Sequence, residues 1–150
     1  MIIAGGKGKR MGILSKILPK PLLPVNERSL LENIMEYFYL FGINDFYITL
    51  NYKSELIKAF FSSITKFKIK FIKEKKYLGT AGSLKLLPDF RSKNFLISNC
   101  DVIFSFDLSE AVKKHNKNKN DITLIVTKET IKLPYGVCLF DNEEKLINIE

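Results

Sequence analysis

The chain has 150 residues, 46% of them hydrophobic and 27% charged, enough apolar material for one compact domain with a core. It contains no apolar run near the roughly 18 residues a membrane-spanning helix needs, and its start is too short for a secretory signal. The net charge of +8 comes from 21 lysines and only three arginines (Arg10, Arg28 and Arg91) scattered along the chain; readers of nucleic acid favour the arginine fork, so the excess reads as a solvated lysine coat, and Arg10 becomes the basic residue to follow.

In chain order, residues 1–4 read as a short buried strand. Ser29 is placed to cap a helix in which Leu30, Leu31, Ile34, Met35, Phe38 and Phe41 recur at helical spacing, with Gly42 closing it. Residues 45–51 (DFYITLN) form a strand rich in β-branched and aromatic residues, and Ser54 to Phe61 a second helix. Residues 67–74 (FKIKFIKE) alternate apolar with basic, a strand with one solvated face. A helix is expected over 80–87, ended by Pro88, then a buried strand over 94–101, a helix over 107–118 with a lysine tail, a strand over 121–128, and a hairpin of 135–140 with 145–149. Repeated strand–helix–strand units predict a doubly wound α/β fold, a mostly parallel sheet with helices on both faces, whose ligands sit at the carboxyl ends of the strands. Both termini read as cut: the first strand is short for a central one, and the chain stops inside an expected strand. The two cysteines, Cys100 and Cys138, lack metal-site spacing and are expected as free thiols in a reducing, cytoplasmic setting.

The opening MIIAGGKGKRMG runs a strand into Gly5, Gly6 and Gly8. Glycines let backbone amides approach phosphate oxygens, which is the geometry of a phosphate cradle. Neither familiar motif fits: the Walker spacing is absent, and of G-x-G-x-x-G only Gly6 and Gly8 match, Met11 standing third. Pro19, Pro21 and Pro24 keep the loop open for about twenty residues, a length that is usually functional. A basic loop with no ligand is the plainer alternative. Against it, Lys20 lies between two prolines in PKPLLPV, so its backbone is held rather than solvated at random.

Taken in order, AGGKGKRM, PKPLLPV, LLENIMEYFYLFGINDFYITLNY, EKKYLGTAGSL, FLISNCD and YGVCLFD resemble the sugar-1-phosphate nucleotidyltransferase family over nearly the whole chain. The resemblance is to mannose-1-phosphate guanylyltransferase-like members, especially those carrying regulatory CBS domains ahead of the transferase domain. It implies a Rossmann-like nucleotidyltransferase fold truncated at the C-terminus, a single domain over 1–150, and transfer from a nucleoside triphosphate, GTP favoured, to a sugar 1-phosphate with release of pyrophosphate. The alternative is a non-catalytic nucleotide- or sugar-binding regulatory module of the same fold. Two departures stand out: Lys9 where the family has Thr, and Cys100 before the aspartate where it has Gly.

Such a reaction must bring anions together, not generate a nucleophile. A phosphate monoester is already mostly a dianion at neutral pH, so no Ser, Cys or His is required, and His115 in KKHNKNKN reads as a solvated surface residue. The resemblance assigns catalysis to Arg10, Lys20 and Asp101. Arg10 would grip pyrophosphate, Lys20 would neutralise charge near the reacting phosphates, and Asp101 would hold Mg²⁺. It places Ala4, Gly5, Gly6, Gly8, Arg10, Glu74, Gly79, Thr80 and Gly82 around the nucleotide, and Gly136 and Glu150 at the sugar. Plainer roles exist: Asp101 as a cap, Thr80 as a helix N-cap, Gly136 as a turn glycine. The family's second metal aspartate has no match up to residue 150, so this stretch alone is expected to turn over little. The expected partners are the two substrates, with no nucleic acid and no membrane; an oligomer is left open.

Overall fold

The computed structural model describes residues 1–8, 11–76, 78–88, 92–131 and 134–149, and at Thr80 the backbone alone. The chain divides into two units, Met1–Ser109 and Glu110–Glu150.

In the first unit, β1 (Ile2–Ile3) ends where the glycines begin. A long loop follows, holding the single-turn α1 (Leu14–Ile17), a 3-10 turn at Lys20–Leu22, and a ribbon of β2 (Pro24–Val25) and β3 (Arg28–Ser29). α2 (Leu30–Leu40) starts on the expected cap. The Ser29 hydroxyl accepts from the Glu32 amide at 3.2 Å while the Ser29 amide donates to Glu32 Oε2 at 2.8 Å, satisfying two otherwise orphaned donors. Gly42, at φ +80°, closes the helix. β4 (Asp45–Leu50), α3 (Ser54–Phe61), β5 (Lys68–Lys73), α4 (Gly79–Gly82) and β6 (Ser98–Asn99) follow.

The four longer-range strands form a parallel sheet ordered β5-β4-β1-β6. Apolar residues of α2 (Leu31, Ile34, Met35, Phe38) and α3 (Ile57, Phe61) share one buried core with Ile2, Phe46, Ile48 and Leu50 from the strands. From β1 the chain builds outward through β4 to β5, then returns to the other side of β1 as β6. That reversal opens a crevice at the carboxyl ends of β1 and β6, where doubly wound sheets take their ligands. Among the described residues no helix is long and apolar enough to cross a membrane.

Three expectations need correction. The strand expected over 94–101 pairs only at Ser98–Asn99, because its partner β1 extends only over Ile2 and Ile3. The helix expected over 80–87 is α4 followed by a 3-10 turn, Ser83–Leu86. Residues 121–128 form no strand among the described residues, and Ile122, Leu124 and Val126 are exposed. Strand preference describes fit to a neighbouring pleated surface, and no ladder supplies one here.

The second unit holds most of α5 (Leu108–Asn118) and an antiparallel hairpin of β7 (Cys138–Phe140) and β8 (Leu146–Ile149), as expected from the sequence. Its turn is fastened by Asp141 Oδ1, which accepts from the amides of Glu143 at 2.8 Å and Lys145 at 2.9 Å. His115 is half-buried, with Nδ1 2.9 Å from Thr123 Oγ1.

Candidate functional site

Backbone ladders bring four segments to the carboxyl rim of the sheet. The Ala4 amide donates to the Thr49 carbonyl at 3.0 Å, the Glu74 amide to Leu50 at 2.7 Å, and the Cys100 amide to Ile3 at 3.1 Å. Asn51 Nδ2 adds a bond to the Glu74 carbonyl at 2.9 Å. The glycine loop, Glu74 and the Cys100–Asp101 pair thus leave the sheet side by side, although they are far apart in sequence.

Glu74 is 2% exposed, an unusual burial for a carboxylate. Its Oε2 accepts weakly from the Leu78 amide at 3.4 Å, while Oε1 has no hydrogen-bond partner among the described residues. It presses on Gly5: a Cβ there would stand 2.9 Å from Glu74 Oε1. A side chain at Gly5 would therefore displace the buried Glu74 carboxyl. Gly6 faces open space, with nothing within 4 Å of where its Cβ would be, and Gly8 sits at φ +62°, which a side chain would strain.

Gly8 lies over the far limb of its own loop, its would-be Cβ 3.5 Å from Lys20 Cβ. Pro19 and Pro21 are buried on either side of Lys20, fixing the backbone of the turn. From it Lys20 Nζ reaches Asp101 Oδ2 at 2.5 Å. Glu74 thus lies beside Gly5, Gly8 beside Lys20, and Lys20 pairs with Asp101. Gly79 begins α4, with Thr80 and Gly82 in the same turn.

The Lys20–Asp101 pair is about a third exposed, 28% and 31% for the two side chains. At that exposure an ion pair is worth at most about 1 kcal/mol, so an incoming anion and cation can separate it cheaply. Cys100 beside it is different: burial, with the Asp101 charge adding, pushes its thiol up to about 12. It stays a neutral thiol near neutral pH, a packing residue and not a nucleophile.

Of the sequence-derived candidates, the structure brings together Ala4, Gly5, Gly6, Gly8, Lys20, Glu74 and Asp101. Arg10 and Glu150 lie outside the described residues, as does the side chain of Thr80. Gly136 lies in the second unit, in an exposed stretch before β7. Among the described residues no cluster of three His, Cys, Asp or Glu could enclose a metal. A cavity of about 460 Å³, lined by Met1, Asp45, Phe46 and Lys68, lies at the amino ends of the strands, away from the glycine loop. The glycine-loop amides, the Lys20 cation and the Asp101 carboxylate converge instead at the carboxyl rim. Sequence reading missed Tyr52 and Lys53, which follow β4 at that rim; their position just past the strand's carboxyl end was the available signal.

The nucleotidyl transferase family model matches residues 1–150, the whole chain. The chain belongs to the nucleotidyl transferase family. It is 33% identical over 151 residues to D-glycero-alpha-D-manno-heptose 1-phosphate guanylyltransferase of Campylobacter jejuni, covering 100% of this chain and 66% of that protein. It is 32% identical over 146 residues to the mannose-1-phosphate guanyltransferase of Aspergillus oryzae, covering 91% of this chain but 39% of the relative. The crystal structure of HddC from Yersinia pseudotuberculosis superposes with a TM-score of 0.65 at 22% identity, over 99% of this chain and 66% of that one, which shows the shared fold. This nucleotidyl transferase chain thus spans 39% to 66% of the length of these relatives.

Proposed function

We propose that this chain carries the nucleotide-binding rim of an enzyme that joins a nucleoside triphosphate to a sugar 1-phosphate. An oxygen of the sugar phosphate attacks the α-phosphorus, the bond from the α-phosphorus to the bridging oxygen breaks, and pyrophosphate leaves with that oxygen. The observation that carries the reading is the Lys20–Asp101 contact of 2.5 Å at the mouth of the glycine loop. A cation and a carboxylate from the two flanks of the crevice meet where a polyphosphate would lie.

In this reading the backbone amides of Gly5, Gly6 and Gly8 face phosphate oxygens, and Lys20 turns from Asp101 to the reacting phosphates. Arg10 takes the leaving pyrophosphate on the strength of its guanidinium fork. Asp101, with one accessible carboxylate, suits Mg²⁺, which takes one or two carboxylates and fills its remaining positions with water and phosphate oxygens. When bound, that ion neutralises charge on the triphosphate. Glu74, Gly79, Thr80 and Gly82 border the nucleoside; Gly136 and Glu150 are assigned to the sugar. GTP is the favoured nucleotide, since both curated relatives described above are named as guanine-nucleotide transferases. The free thiols of Cys100 and Cys138 accord with a cytoplasmic enzyme.

The test is pyrophosphate release by the full-length protein, with each of the four nucleoside triphosphates and with mannose, glucose and heptose 1-phosphates. The expected result is release with GTP, lowered about 10²- to 10³-fold in Asp101→Asn. No release with any pair, or full activity in the variant, refutes the proposal.

A further inference from the structure

The glycine loop has two limbs. The near limb, Gly5 to Gly8, continues directly from β1, with the buried Glu74 carboxyl beside Gly5. The far limb is anchored at its end by Leu18 and buried Pro19, but its stretch from Gly12 to Ile17 has little of its own to fix it. α1 is a single turn without a side-chain N-cap, it buries no residue, and Ile13, Leu14 and Ile17 are exposed. A turn that short does not hold itself together in water. Something outside must hold it.

The holders are Tyr52 and Lys53. The Tyr52 hydroxyl donates to the Ser15 carbonyl at 3.1 Å. Lys53 Nζ donates to the Lys16 carbonyl at 2.5 Å and to the Ile17 carbonyl at 2.7 Å. Three successive carbonyls, which the end of a helix leaves without intrahelical partners, are thereby satisfied from β4's carboxyl end. A cation on the carbonyl end of a helical turn also meets its negative pole. Lys53 itself is left-handed, at φ 50°, and caps α3 without any side-chain bond to it. A left-handed lysine is disfavoured locally, and such conformations persist where the surroundings over-determine them. Here its ammonium is turned away from α3 and onto the loop.

What the two residues hold is next to the chemistry. The would-be Cβ of Gly8 stands 3.9 Å from Ser15 Cβ and 3.5 Å from Lys20 Cβ. Ile17 is followed within three residues by Lys20. We propose that Tyr52 and Lys53 form a latch that docks the far limb of the loop, and so positions Gly8 and Lys20 for the triphosphate. They are positioning residues that act through the loop, and the inference rests on the function proposed above. Its chemical content is a cation and a phenol bound to backbone carbonyls, so a hydrogen-bond-competent cation at 53 should be what matters.

The full-length protein tests this with Lys53→Met, Lys53→Arg and Tyr52→Phe. Lys53→Met keeps the aliphatic stem and removes the donors. Trypsin should cut after Lys16 about tenfold faster in Lys53→Met, because opening of the limb exposes that bond, and the global thermal midpoint should stay within a few degrees. The KM for the nucleoside triphosphate should rise about tenfold, with kcat changing much less. Lys53→Arg should restore most of both, and Tyr52→Phe should give a smaller change of the same kind. Native cleavage rates in Lys53→Met, or an arginine variant as impaired as the methionine one, overturn the latch. If native protein releases no pyrophosphate from any nucleotide, the proposed function falls, while the cleavage arm still decides the latch on its own. If Lys53→Met does not fold, Tyr52→Phe carries the same comparison: faster cutting supports the latch and a native rate overturns it.

Discussion

β4 and β5 lie side by side in register, Ile48 against Phe71 and Leu50 against Lys73, yet they are chemically unlike. β4 has a strand on each side and buries Phe46, Ile48, Thr49 and Leu50, so successive residues are apolar or hidden irrespective of the face they point to. β5 is an edge of the sheet among the described residues, and its sequence KIKFIK puts lysines at Lys68, Lys70 and Lys73. A lysine-lined edge resists pairing with another chain, because docking would strip water from the ammonium groups. Position in the sheet, more than strand preference, decides which residues each strand can carry. The same distinction reaches the site. The inner strands β1 and β4 feed the glycine loop and the Tyr52–Lys53 latch, while β5 contributes Glu74 as its last act before leaving the sheet.

Substitutions in the two strands should separate sharply. Ile48→Ala, at a fully buried position, is expected to cost about 2–5 kcal/mol of unfolding free energy in chemical denaturation. Lys68→Ala, exposed on the edge, should change it by less than about 0.5 kcal/mol. Equal losses at the two positions would break the comparison.

A second prediction probes the carboxyl end of β6 through pH. The Cys100 thiol is raised from 9.0 to about 12 in the folded protein, chiefly by burial. The folded state therefore holds this proton more tightly than the unfolded chain does. The stability it provides is complete below pH 9 and is lost as pH rises from 9 toward 12, by up to about 1.4 kcal/mol per pH unit. Relative to Cys100→Ala, the native protein should lose stability over that window and show no differential slope between pH 6 and 8. The smallest effect is at the thiols themselves. Iodoacetamide at pH 8 should label exposed Cys138 and leave buried Cys100 unmodified until the protein is unfolded, as mass spectrometry of the digest would show.

Much of the first unit was legible in the sequence, for identifiable reasons. α2 declared itself through six apolar residues at helical spacing behind a capping Ser29; β4 and β5 through β-branched runs and alternation. Each of these signals is local. Lys20 was picked out by its two prolines, and Asp101 by its place after a strand, though only the resemblance to a family linked them. Their 2.5 Å contact across 81 positions is a product of sheet order, which no local pattern encodes. The extents of β6 and of residues 121–128 were misread because strand length is set by the neighbour: β1 permits two pairs to β6, and residues 121–128 meet no ladder among those described. Tyr52 and Lys53 escaped notice because a phenol and an ammonium bound to backbone carbonyls leave no motif.

The central claim is that Lys20 and Asp101 mark the seat of a polyphosphate. Calorimetric titration of GTP with Mg²⁺ into the native protein and into Lys20→Met tests it most directly. The Kd should be at least about tenfold weaker in the variant, through the loss of one charge-assisted contact. An identical Kd in both proteins would contradict it.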